Sequence, residues 1–230
     1  MSTRLFPGDW RRAGRAAAAV IETPLGSVRL GGEIGGSLLN ADQADSYTSL
    51  AGPRLLAWNT PAMVAELILG KLPPRSDSEY EKKLMGYHAA LWRIRAEKQR
   101  LADYLLTCRF EAASHLEGGP CSGESLDAQE WSDGKINLTI GTQDGRAVFR
   151  CPGQVPARWL PADSGFKEIS HVEYASDGFV LRPPDLEPGE VAQFQFVVAW
   201  ASEADRSKAW SCVCRKSEWI LSVLGSTSCN

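Results

Sequence analysis

Apolar positions along the chain change their spacing near residue 107. From Tyr80 they fall at 80, 84, 87, 91 and 94, skip a beat at Lys98, and resume at 101, 105 and 108. An alternation of four and three held for about four heptads predicts one long amphipathic helix. Lys82, Lys83, Arg93, Arg95, Glu97 and Arg100 fall on its opposite side, so the helix would lie across a sheet with a basic outer face. A coiled-coil contact or a face that tracks phosphates uses the same pattern. Ser76-Asp77-Ser78-Glu79 has the spacing of a capping box and marks the start. A shorter helix is predicted over 61–69, where Thr60 supplies the cap, Pro61 suits the first helical position and Gly70 suits the stop.

Beyond that point the period becomes two. Ile136, Leu138 and Ile140 alternate, a turn follows at 141–145, and Ala147, Phe149 and Cys151 fit a returning strand. A second hairpin is predicted where 171–174 and 179–181 flank Ala175-Ser176-Asp177-Gly178. The clearest strand is 191–200, with Ala192, Phe194, Phe196, Val198 and Trp200 on one face, and Trp210, Cys212 and Cys214 continue the same period. Before all of these, 17–23 and 27–34 flank Pro24-Leu25-Gly26 as a first hairpin, and residues 1–15 read as an irregular basic arm. The fold class expected is therefore α+β: an N-terminal hairpin and helices, including the long amphipathic one, followed by a mainly antiparallel sheet or sandwich. The Pro/Gly/Ser-rich stretch 117–133 offers a boundary between a basic portion, 1–116, and an acidic β-rich portion, 117–230, or a long loop on one continuous domain.

Composition narrows the class further. With 230 residues, 43% hydrophobic and 23% charged, the chain is long enough for a packed core and unlike disordered or fibrous sequences. Its longest apolar runs, 16–21 and 196–201, are far shorter than the roughly 20 residues of a spanning helix. Charged residues in the first dozen positions interrupt any export signal, so the expected location is cytoplasmic. The six cysteines are read as reduced thiols, because a chain of this size needs no disulfides and nothing sends it to an oxidising compartment; neither Cys212-Val213-Cys214 nor the loose series Cys108, His115, Cys121 has the spacing of a zinc site. No cofactor motif occurs, and Gly31-Gly32-Glu33-Ile34-Gly35-Gly36 lacks the order of a phosphate cradle.

Charge is uneven: up to Arg109 there are 15 basic and 11 acidic residues, and after it 10 and 17. An acid-rich second half attracts basic partners and repels nucleic acid. Within it, Trp131 sits among Glu124, Asp127, Glu130 and Asp133, the composition of an aromatic anchor with a polar rim. The leading expectation is a non-catalytic protein-binding protein of the inhibitor or immunity type, using Glu124, Asp127, Glu130, Trp131 and Asp133 to neutralise a basic partner such as a toxic enzyme. An alternative is a nucleic-acid-binding subunit that uses Arg11, Arg12, Arg15 and the basic side of the long helix. A third is an enzyme built on His171 and Glu173, the best acid–base candidates among three histidines.

Overall fold

The computed structural model describes residues 4–15, 18–149, 153–160 and 171–225. Its strands, in chain order, begin with β1 (Arg11–Arg15), β2 (Val20–Thr23), β3 (Gly26–Ile34), β4 (Ser37–Leu38), β5 (Asp45–Thr48), β6 (Arg54–Asn59), β7 (Met63–Lys71) and β8 (Gly86–Ala96). Then come β9 (Tyr104–Ala112), β10 (Glu117–Pro120), β11 (Leu126–Ser132), β12 (Ile136–Gln143), helix α1 (Gly145–Phe149), β13 (Val172–Ala175), β14 (Gly178–Leu181) and β15 (Val191–Ser202). Helices α2 (Arg206–Val213) and α3 (Ser217–Leu224) follow.

The strands form two antiparallel sheets. The large one runs β1-β5-β6-β7-β8-β15-β12-β11-β10, and the small one β13-β14-β9-β3-β2, with β4 beside β3. Strands from the two halves of the sequence interleave in both: β15 lies between β8 and β12, and β9 between β14 and β3. Val28, Leu30, Leu106, Cys108, Phe110 and Phe179 of the small sheet meet Leu56, Leu67, Trp92, Ile94, Phe194 and Phe196 of the large sheet in one core. This is a β-sandwich, in which alternate side chains of each strand fill the space between the sheets.

The large sheet is buried on its other side as well. Leu55, Ile68, Tyr87, Ala89, Leu91, Val197 and Ala199 point outward under Phe6 from the N-terminal segment and Ala209, Cys212, Val213, Ile220 and Leu224 from α2 and α3. Polar groups fix these covers in place. Tyr87 donates its hydroxyl to the Cys212 carbonyl (2.9 Å), and the Ser217 hydroxyl at the start of α3 lies 2.6 Å from Gln195 Oε1. Buried Glu81 accepts the Arg75 amide (2.6 Å) and pairs with Arg215, which follows α2. Buried polar groups require such partners.

The α+β expectation with a long helix is corrected to a mainly β fold. Residues 80–108 form a single turn at Glu81–Lys83, strand β8 and the start of β9. In β8 the inner residues Ala90, Trp92 and Ile94 and the outer Tyr87, Ala89 and Leu91 are all buried. A strand covered on both faces loses the period of two, and its apolar positions can then be threaded on a helical period. The shorter helix over 61–69 is β7, and Thr60 caps a hairpin instead: its hydroxyl accepts the Met63 amide (3.1 Å), and its amide donates to the Met63 carbonyl (2.9 Å). The return strand drawn through Ala147 and Phe149 is α1, and Trp210 and Cys212 lie on α2. Cys151 and Cys229 fall outside the described residues. The stretch 117–133 contains β10 and β11 rather than a loop. Both other hairpins stand as read, β2–β3 and β13–β14, as does β15.

At the end of the central pair, Gly86 is opposite Trp200 in register, and a Cβ on Gly86 would lie 1.9 Å from the indole. His88 stacks on the same indole at 5.3 Å, and burial pushes its pKa down. Gly86→Ala therefore has to displace a packed tryptophan and is expected to cost about 1–3 kcal/mol in urea denaturation; an unchanged midpoint would refute this packing.

Candidate functional site

Alternation along β11 divides the acidic segment between two faces. Leu126, Ala128, Glu130 and Ser132 turn to the outer side, and Asp127, Gln129 and Trp131 turn toward the small sheet. On the inner side the Trp131 ring packs on Phe110 at 4.9 Å and is only 8% exposed. Asp127 accepts the Tyr174 hydroxyl at 2.7 Å, and that hydroxyl also meets Ser122. On the outer side Glu130, 9% exposed, accepts Arg206 Nε at 2.9 Å. Asp133 accepts the amides of Lys135 and Ile136, both at 2.8 Å, and so closes the β11–β12 turn. Glu124 is exposed on the turn before β11. The five residues singled out from the sequence thus occupy two faces and two turns.

Three of them, Glu130, Trp131 and Asp133, nevertheless line one cleft of about 660 Å³ at the β10 edge of the large sheet. Its floor is the outer face of β11 and β12, and its far wall is the start of α2 with the turn before it. Asn137 Nδ2 donates to Glu130 Oε2 (3.4 Å), Thr139 donates to Asn137 Oδ1 (3.1 Å), and Ser132 donates to Glu203 Oε2 (2.6 Å). Arg206 joins the two carboxylates, bonded to Glu130 and 3.8 Å from Glu203. On β10, Gly119 is directly opposite Glu130 and a Cβ there would meet nothing within 4 Å. The missing side chain leaves the floor open, and His115 and Glu117 form the outer rim. Arg206 is 76 residues from Glu130, and no spacing in the sequence links them.

The other sequence candidates are dispersed. His171 is 2% exposed with its ring 5.8 Å from Phe194, whereas Glu173 is held at the surface by Arg182 at 3.0 Å. The basic helical face has no counterpart. Lys82 and Lys83 lie on a short turn, Arg93 is half-buried and donates to Gln193 and Leu5, and Arg100 pairs with Asp185. Acids of the second half are met by cations from both halves: Asp177 by Arg109, Asp185 by Arg100, Glu190 by Arg158 and Glu130 by Arg206. Among the described residues no cluster has the make-up of a metal site, and no helix is long and apolar enough to cross a membrane. Cys108, Cys121, Cys212 and Cys214 are free thiols, and burial pushes Cys121 up to about 12 and Cys212 up to about 11.

No family model matches the chain, and no curated protein matches it. Among solved structures, a putative kojibiose phosphorylase from the human microbiome is similar at 10% identity with a TM-score of 0.51, over 94% of this chain and 30% of that one. At this identity the likeness is one of fold, and the chain spans less than a third of the phosphorylase's length. A polysaccharide lyase aligns at 9% identity with a TM-score of 0.33, over 76% of this chain and 25% of that one.

Burial raises the Asp127 carboxyl above its ordinary value, against the lowering effect of the Tyr174 hydrogen bond. A carboxyl raised on folding favours the folded state below its unfolded pKa and loses that contribution as pH rises through the folded pKa. Asp127→Asn, which keeps an acceptor for Tyr174, is expected to melt at or above the wild type at pH 7, with the difference vanishing below pH ~4. A difference that grows on acidification would contradict this assignment.

Proposed function

We propose that the chain is a non-catalytic binding module of the β-sandwich class, whose β10–β12 cleft takes a neutral, hydroxyl-rich ligand of the saccharide type. The observation that carries this reading is the cleft floor, where carboxylate, amide, hydroxyl and guanidinium groups stand together beneath the space left by Gly119. Such a floor offers acceptors and donors in alternation, which suits a ligand whose hydroxyls each do both. A volume of about 660 Å³ suits a small ligand. Glu130 is paired with Arg206, so the carboxylate at the floor serves as a hydrogen-bond acceptor rather than as an unmatched charge. The fold likeness to part of a phosphorylase named for a disaccharide supports this class. The reading keeps the protein in the cytoplasm, where its free thiols remain reduced.

A second reading, engagement and neutralisation of a basic protein, draws on the exposed carboxylates Glu117 and Asp133 at the rim of the same cleft and Glu203 in its wall. It is weakened by Trp131, which faces the core rather than a partner.

Titration with glucose and with glucose disaccharides, kojibiose included, is expected to change tryptophan emission saturably through Trp131. Gly119→Phe, which fills the cleft from an exposed edge strand, is expected to abolish the change with the melting temperature retained. A flat titration across such sugars would sink the saccharide reading. Recovery of one basic protein from the native host at moderate salt, competed by charge reversal at Glu117 and Glu203, would establish the second.

A further inference from the structure

A second built site lies on the outer face of the large sheet, away from the cleft. Glu66 on β7, Arg93 on β8 and Gln193 on β15 stand in one cross-strand row, since Glu66 is paired with Arg93 and Arg93 with Gln193. Glu66 is 1% and Gln193 4% exposed. A carboxylate so buried needs charged or hydrogen-bonding partners; the charge of Arg93 stands beside Glu66, and residues 4–6 bring it hydrogen bonds. Its Oε2 accepts the backbone amides of Leu5 (3.0 Å) and Phe6 (2.8 Å), and its Oε1 accepts Arg4 Nη1 (3.1 Å). Arg93 completes the frame: Nη1 donates to the Leu5 carbonyl (2.6 Å) and Nε to Gln193 Oε1 (2.8 Å).

Two side-chain positions add selectivity. Phe6 is fully buried, with the Arg93 guanidinium 4.6 Å from its ring centroid. The Arg4 guanidinium lies 3.7 Å over the Tyr47 ring. Both backbone polar groups of Leu5 and the amide of Phe6 are therefore held by side chains of the sheet, and one aromatic and one cationic side chain are seated beside them. Recognition of main chain by fixed polar groups, with pockets for chosen side chains, is how folded domains hold peptide ligands.

We propose that the Glu66–Arg93–Gln193 row is a peptide-binding site for an Arg-aliphatic-Phe segment. Residues 4–6 fill it in cis as an exchangeable strap, and a peptide of the same chemistry enters when the strap leaves. The site is separate from the cleft and independent of any ligand bound there.

The test uses the full chain with a protease recognition sequence inserted between Pro7 and Gly8, cut only after folding. The severed arm is expected to stay bound through gel filtration and to be displaced by excess labelled Thr-Arg-Leu-Phe-Pro peptide in a saturable manner. Replacing Phe by Ala in the peptide should weaken binding at least ~10-fold, and Glu66→Gln should do the same from the receptor side. Loss of the arm with no saturable rebinding, or equal binding of the Ala and scrambled peptides, would overturn the proposal. Should Glu66→Gln fail to fold, the peptides on the cut wild type decide: tighter binding of the parent peptide than of the Ala and scrambled ones supports the site, and equal binding refutes it.

Discussion

Burial of the β8–β15 pair from both sides is the constraint on which the rest of the molecule depends. Ten residues of each strand run in unbroken antiparallel register at the centre of the large sheet. Their inner side chains form the sandwich core and their outer ones a second apolar layer. A sheet with two apolar faces needs cover on both. The small sheet covers one; the N-terminal segment and the pair α2–α3 cover the other. Each cover is attached by polar groups standing on the sheet, Glu66 and Arg93 for the arm, Gln195 for the start of α3 and the Tyr87 hydroxyl for α2. Apolar area supplies the driving force, and these bonds choose where each cover sits.

The same constraint decides what could be read from sequence. Strands with one solvated face kept their period of two: Val28 and Leu30 on β3 point inward while Arg29 is exposed, and the hairpin about Pro24-Leu25-Gly26 was legible. The β13–β14 turn was legible from Asp177-Gly178, where Gly178 has a φ of +144°. The β8 strand was not, because Tyr87, Leu91 and Ile94 come from opposite faces yet fall at intervals of four and three. Thr60-Pro61 carries the chemistry of a helix start and serves a hairpin, as the hydroxyl bonds an amide three residues on in either setting.

The cleft was legible only in part. Glu130, Trp131 and Asp133 stood out by composition, but their arrangement follows from strand alternation: one is a floor group, one a core group that edges the cleft, one a turn former. Asn137, Ser132, Glu203 and Arg206 carried no signal of their own. They become a site because β12, the turn after β15 and the start of α2 converge on the outer face of β11. Charge asymmetry along the chain likewise does not persist as a single field in space, since strands from both halves interleave and carry their cations to the acids.

The two borders of the large sheet bear on the behaviour of many copies together. On one border β1 displays Arg11, Arg12 and Arg15, all exposed, with a register shift between Arg12 and Gly14. On the other, β10 is four residues long and ends in Pro120, which has no amide hydrogen to offer. Like-charged, kinked or donor-poor margins are poor templates for another strand. Sheet growth from molecule to molecule is thereby opposed at both margins.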